Sequence, residues 1–257
     1  MNGMHREKPD LKRSPIVEAI IDIDCDMPPD YIVGSQINMA ETVFGQNYPK
    51  TEKRFQHIQG FASQFDDSPK IKTLEPRISI IALALKNTEE NQIVQIRQNG
   101  FSFNRLTPYS SLDDYFPEIE RTWTLFSEHF SPLSIRRIGL RYINRIILPL
   151  ENRKLDMDQF FNVGPRLPGD SPLKFVGFFH QQQLIEPDTE NRANVILTTQ
   201  PVNSDEMPLI FDIGTTKEVE YEHFDWNDIL TVIKSLRNLK NHIFFDSLTK
   251  EGICLFN

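Results

Sequence analysis

The stretch RRIGLRYINRI, residues 136–146, alternates strictly. Ile138, Leu140, Tyr142 and Ile146 fall on one parity, and Arg137, Arg141 and Arg145 on the other. A side-chain period of two marks a β-strand with one buried face, so the arginines line the face turned away from the core. Residues four apart on a strand stand about 13 Å apart on the same face. Asn144 shares the apolar parity and needs hydrogen-bond partners in the core.

Residues 16–23 carry the matching pattern. Val17, Ala19, Ile21 and Ile23 form one face; Glu18, Ile20 and Asp22 form the other, and Asp24 continues the acidic line. Two strands of like pattern and opposite charge are predicted to be neighbours, with Glu18, Asp22 and Asp24 facing Arg137, Arg141 and Arg145 as a salt-bridge ladder. Such cross-strand pairs contribute about 0.2–1 kcal/mol each. The competing expectation is that some arginines stay unpaired and line a groove, because planar guanidinium groups in a row suit phosphates and carboxylates.

Outward from these strands the sequence sorts into further elements. Pro28 and Pro29 open a predicted helix near 29–44, with Pro29 in its first turn. Strands are expected over 52–65 and 77–86, then a hairpin over 93–106 turning at Asn99-Gly100. Leu112, Phe116, Ile119, Trp123, Phe126 and Phe130 recur at helical spacing over 111–130, with Ser111 and two aspartates at its start. The strand at 134–148 ends at Pro149. A short helix over 155–161 and strands at 172–186, 191–200 and 208–217 follow. Asp225 caps a long helix with Trp226, Ile229, Ile233, Leu236 and Leu239 on one face, and the tail from 242 packs as a short final helix or turn.

This order reads twice: strand, helix, three or four antiparallel strands, long helix. The expected fold is α+β. A flexible leader (1–14) precedes two similar helix-grip halves, 15–132 and 133–257, sharing one antiparallel sheet with its helices on one face. A tandem pair of this kind resembles the TATA-box-binding protein fold, a likeness of architecture that carries no function.

Composition bounds the function. The chain of 257 residues has 39% hydrophobic and 25% charged side chains, enough apolar content for a packed core, and 19 phenylalanines to fill it. Its net charge of −8 opposes general nucleic-acid binding. Cys25 and Cys254 lie far apart in sequence and read as free thiols of a cytoplasmic protein. No stretch reaches the length of a membrane span, and the polar N-terminus lacks a signal-peptide core.

Few residues offer chemistry. Glu218, Glu220 and Glu222 alternate in KEVEYEH and could hold a divalent metal through oxygen ligands. With the arginines they resemble triphosphate-tunnel phosphohydrolases, whose signature is Glu-x-Glu-x-Lys on the first strand; here the third position is Glu222 and the run lies late in the chain. Their alternative reading is a solvated strand edge. The six histidines share no metal spacing, and His242 reads as a helix C-terminal residue. No nucleophile elbow, P-loop or dinucleotide fingerprint is present. Phe101, Phe103 and Arg105 share a parity beside Tyr109, as a base-stacking platform or as core beneath a helix.

The segments PIVEAIIDI (15–23), NGFSFNRLTPY (99–109), RIGLRYINRIILP (137–149), LIFDI (209–213) and NHIFFDSLT (241–249) resemble a sporadically distributed family of bacterial proteins about 250 residues long with no assigned activity. The resemblance spans the chain, with RIGLRYIN its most specific piece, and carries over no catalytic residue. The expectation is a cytoplasmic binding module without a cofactor. It binds an anionic or peptide ligand at a central groove lined by Arg137, Arg141 and Arg145; its partner is a protein or a small anionic ligand, and a homodimer is one assembly considered. Metal-assisted phosphohydrolysis and nucleic-acid binding are the alternatives.

Overall fold

Strand β1 (Ile16–Asp26) lies at the centre of the molecule, and the chain builds outward from it on both sides. The computed structural model describes residues 11–58, 61–64, 70–73, 77–150, 156–166, 176–200, 206–222 and 225–257. Most of the predicted leader and His223 lie outside them. After β1 come a turn of 3₁₀ helix (Val33–Ser35), α1 (Ile37–Phe44), β2 (Lys50–Ile58), β3 (Phe61–Gln64), β4 (Lys70–Thr73), β5 (Arg77–Lys86), β6 (Gln92–Arg97), β7 (Gly100–Leu106) and α2 (Phe116–Phe130). Then follow β8 (Ser134–Pro149), α3 (Met157–Phe160), β9 (Phe179–Ile185), β10 (Arg192–Thr199), β11 (Glu206–Tyr221), α4 (Trp226–Ser247) and α5 (Lys250–Cys254).

Nine strands form one antiparallel sheet in the order β2-β5-β6-β7-β1-β8-β11-β10-β9; β3 and β4 pair separately. The fold is α+β, with a large antiparallel sheet and few helices. Ile21, Ile23, Phe101, Phe103, Ile138 and Leu140 point from the sheet into one core with Phe44 of α1, Trp123 and Phe126 of α2, and Ile233 and Leu236 of α4. Phe211, Phe244 and Phe161 belong to a second cluster. Aromatic edges meet faces there, Phe161 lying T-shaped on Phe211 at 5.7 Å.

A β-bulge refines the reading of β8. The β1–β8 register slips between Asp24/Cys25, so Arg136 is an extra residue on β8. Ile135 and Ile138, of opposite parity, both reach zero exposure because the bulge resets the alternation. Asn144 finds its partner in the core: its side-chain amide donates to the Phe211 carbonyl at 2.8 Å.

Four local expectations need correction. The helix predicted from 29 begins only at Ile37. Gln98 holds the intervening chain away from helical geometry, accepting from Val33 N–H at 3.0 Å and donating to the Tyr31 carbonyl at 2.8 Å. The strand predicted over 52–65 is two strands in two sheets. His242 is not at a helix end, because α4 runs on to Ser247.

The hairpin turns at Gln98-Asn99, with Arg97 opposite Gly100, not at Asn99-Gly100. Gly100 serves a different purpose. Its φ is +135°, and a Cβ there would stand 2.1 Å from the Ile23 carbonyl oxygen. Only a residue without a side chain lets β7 approach β1 this closely. Gly100→Ala is expected to lower unfolding free energy by about 2–4 kcal/mol, read by urea denaturation followed through tryptophan fluorescence.

Candidate functional site

The sheet face opposite the helices carries the predicted charges, and the register decides who meets whom. Asp24 stands opposite Arg137, Asp22 opposite Gly139, Ile20 opposite Arg141 and Glu18 opposite Ile143. The acids and arginines share a four-residue repeat but are offset by two residues. Only Asp24 and Arg137 form the expected cross-strand pair.

The remaining acids find partners on β7 and β6. Asp24 also accepts from Arg97 Nη2 at 2.6 Å. Asp22 accepts from Ser102 Oγ at 2.5 Å. Glu18 accepts from Asn104 Nδ2 at 2.7 Å, and Asn104 accepts in turn from Gln95 at 2.9 Å. Arg141 turns the other way, to Asp212 of β11, with a bidentate pair at 2.8 and 2.5 Å. Asp212 is only 6% exposed, so Arg141 is what compensates a nearly buried charge. Arg145 donates to Gln200 Oε1 at 3.1 Å and has no carboxylate partner among the described residues.

Beside this network the same face opens into a groove of about 540 Å³. Arg137, Gly214, Thr216, Asn194, Arg192 and Gln183 line it from four successive strands, and Leu184 and Ile185 form its outer wall. Gly214 keeps the floor low: a Cβ there would meet only Arg141 Cγ at 3.7 Å and the Asn194 carbonyl at 3.8 Å. Arg192 is exposed and has no carboxylate partner among the described residues. Sequence reading did not single it out, because one arginine on a short strand carries no pattern.

The glutamate run starts beside this groove and leads away from it. Glu218 stands opposite Arg137 on β11, but the register slips before Tyr221. Glu218 and Glu220 flank a separate depression with Arg136, and Glu222 follows the strand's end, exposed. Among the described residues no three His, Cys, Asp or Glu side chains converge on a metal position. The run is on an interior strand, yet β10 ends opposite Thr216, so beyond that point β8 is the neighbour that remains.

Phe101 and Phe103 are 0% and 2% exposed beneath α2, so they form core and no platform. Arg105 shares their face and lies over the Tyr115 ring, 4.9 Å from its centroid.

A second polar cavity of about 370 Å³ lies where residues 109–112 meet α4. Tyr109 and Tyr142 share a hydroxyl hydrogen bond of 2.9 Å, and Lys240 Nζ sits 4.0 Å above the Tyr142 ring. Burial pushes the Tyr142 hydroxyl up to about 12, so it stays protonated. Lys240 was legible only as spacing: it follows Ile229, Ile233 and Leu236 on the apolar stripe of α4, in place of the apolar residue expected there.

No family model matches the chain, and no curated protein matches it.

Two measurements test this arrangement. Arg141→Ala leaves Asp212 without its guanidinium and is expected to lower stability by about 1–3 kcal/mol, with Asp212→Asn in the same background recovering part of the loss in a double-mutant cycle. Cys25 is buried, which pushes its thiol up to about 12 despite the opposing field of Arg97. Cys254 is exposed. An aromatic disulfide reagent at neutral pH is expected to titrate one thiol per native chain and two after denaturation.

Proposed function

We propose that this chain is a binding protein that holds a small organic anion in the groove between Arg137 and Arg192. The observation that carries this reading is that Arg137 and Arg192 both line one groove on the same sheet face. By strand spacing their Cα atoms are about 12 Å apart, within joint reach of a single ligand. Arg137 is already oriented by Asp24, so it loses little side-chain entropy on binding. Arg192 supplies the charge that the fold leaves without a carboxylate among the described residues. The apolar wall at Leu184 and Ile185 favours a phosphate or carboxylate attached to an apolar body.

The network beside the groove serves as its frame. Arg141, expected from sequence to bind ligand, is committed to Asp212 and holds the floor strands β8 and β11 together. Within this reading the two halves are a structural repeat of the helix-grip kind, resembling the TATA-box-binding protein arrangement. The strand order supports it. β1 neighbours β7, the last strand of its own half; β8 neighbours β11, the last of the other; and the two first strands meet at the centre.

A thermal-shift screen of organic phosphates and dicarboxylates, followed by calorimetry on any hit, tests the proposal. At least one such anion is expected to bind. Arg192→Ala is expected to keep stability within about 0.5 kcal/mol, as at other exposed sites, and to weaken binding roughly 10-fold or more, the worth of one charge-assisted contact. Absence of binding across the screen, or affinity indifferent to Arg192→Ala, refutes the reading.

A further inference from the structure

The two edges of the nine-stranded sheet are built differently. Edge strand β2 carries Lys50, Glu52, Lys53 and Arg54, and its charges close ion pairs with Lys86 and Glu90 of the neighbouring hairpin. A charged edge resists the addition of another strand. Edge strand β9, FHQQQLI, has no Lys, Arg, Asp or Glu. Its one strand neighbour among the described residues is β10. Phe179, Leu184 and Ile185 are 66%, 44% and 58% exposed. A neutral edge with exposed apolar ends is a template for strand pairing.

The order of its residues selects the partner. Set against itself in the opposite direction about Gln182, the strand matches in every kind of pair but one. Phe179 meets Ile185, Gln181 meets Gln183 and Gln182 meets Gln182, and the mixed pair is His180 with Leu184. Directly opposite residues of an antiparallel pair share a face, so on the face of Phe179 and Ile185 apolar ends meet apolar ends and amides meet amides. No like charges oppose one another.

We propose that a second copy of this chain adds at β9, antiparallel about a two-fold axis through Gln182, joining the two sheets into one. The contact is isologous: one patch serves both copies, and the pairing closes both β9 edges, so that among the described residues the ion-paired β2 strands form the edges of the joined sheet. Because facing residues share a side, the second copy's Phe179 comes to stand beside Ile185, against the outer wall of the groove. The dimer does not depend on the ligand assigned to that groove, and its test uses no ligand.

Sedimentation equilibrium of the full chain over a micromolar concentration series is expected to give twice the 30.0 kDa of one chain. The register makes a sharper demand. Q181K/Q183K sets lysine opposite lysine at two points and is expected to return the mass of one chain. Q181K/Q183E sets lysine opposite glutamate at the same two points and is expected to keep the doubled mass. Circular dichroism establishes that each variant is folded. Gln182→Cys in a Cys254→Ser background, which adds no charge, is expected to give a disulfide-linked dimer on mild oxidation. A wild-type chain that sediments as a single copy throughout overturns the proposal, as do two charge variants that behave alike. So does a single copy that instead takes up an extended peptide of another sequence at this edge.

Discussion

The pairing of β1 with β8 is the constraint from which the rest of the molecule follows. These two strands occupy the middle of the sheet, with four strands added in succession beyond β1 and three beyond β8. Charge alone would choose a different register. Sliding β8 by two residues would set Asp22 opposite one arginine and Glu18 opposite another, giving two direct pairs where the structure has one. Each such pair is worth about 0.2–1 kcal/mol. The observed register sets Ala19 opposite Tyr142, Ile21 opposite Leu140 and Ile23 opposite Ile138, all nearly fully buried. Burying one such side chain contributes about 1.5–3 kcal/mol, and a misfit leaves a cavity of similar cost. Ala19 beneath Tyr142 is a small-against-large match that a two-residue slip would destroy. Packing therefore outweighs the ladder, and the acids must find partners elsewhere.

That displacement accounts for the polar residues on the flanking strands. Ser102 and Asn104 of β7 are almost completely buried, which is costly for groups without partners, yet each bonds an acid that the register left without an arginine directly opposite on β8. Asp24 accepts from Arg97 on β6 and from Arg137 on β8, so one carboxylate ties together a span of four strands. Asp212 does the same work across β8 and β11. The result is a connected set of charge-assisted bonds lying across the strands, at right angles to the direction in which the sequence pattern runs.

This explains what was legible in the sequence and what was not. Strand alternation and helical spacing are local, so β5, β8, β10, α2 and α4 could be placed from residue order, and Asp225 was identifiable as a cap. Which acid meets which arginine depends on a register that sums packing over a whole face, and single-strand periodicity does not contain that sum. The start of α1 failed for a related reason: Gln98, more than sixty residues away, bonds the backbone of Tyr31 and Val33, where the chain forms only a short 3₁₀ turn before α1. Arg192 and Lys240 were missed because each is a single residue whose importance comes from neighbours on other strands and helices.

An acidic chain with a line of arginines now presents a consistent physical picture. Two of the three arginines in the line, Arg137 and Arg141, are neutralised in place and behave as structural cross-links. The proposed binding groove lies where neutralisation is incomplete, on one wing of the sheet. On the β5–β2 side, lysines and glutamates pair with one another and the edge is closed by charge. On the β11–β10–β9 side, the floor is glycine and threonine, Arg192 is exposed, and the edge strand is neutral. A glycine within a strand and an uncharged edge each carry a cost to a protein that only needs to stay folded and separate from its neighbours, and the exposed guanidinium lies beside them. Their coincidence on the same three strands is the asymmetry on which the proposed binding role rests.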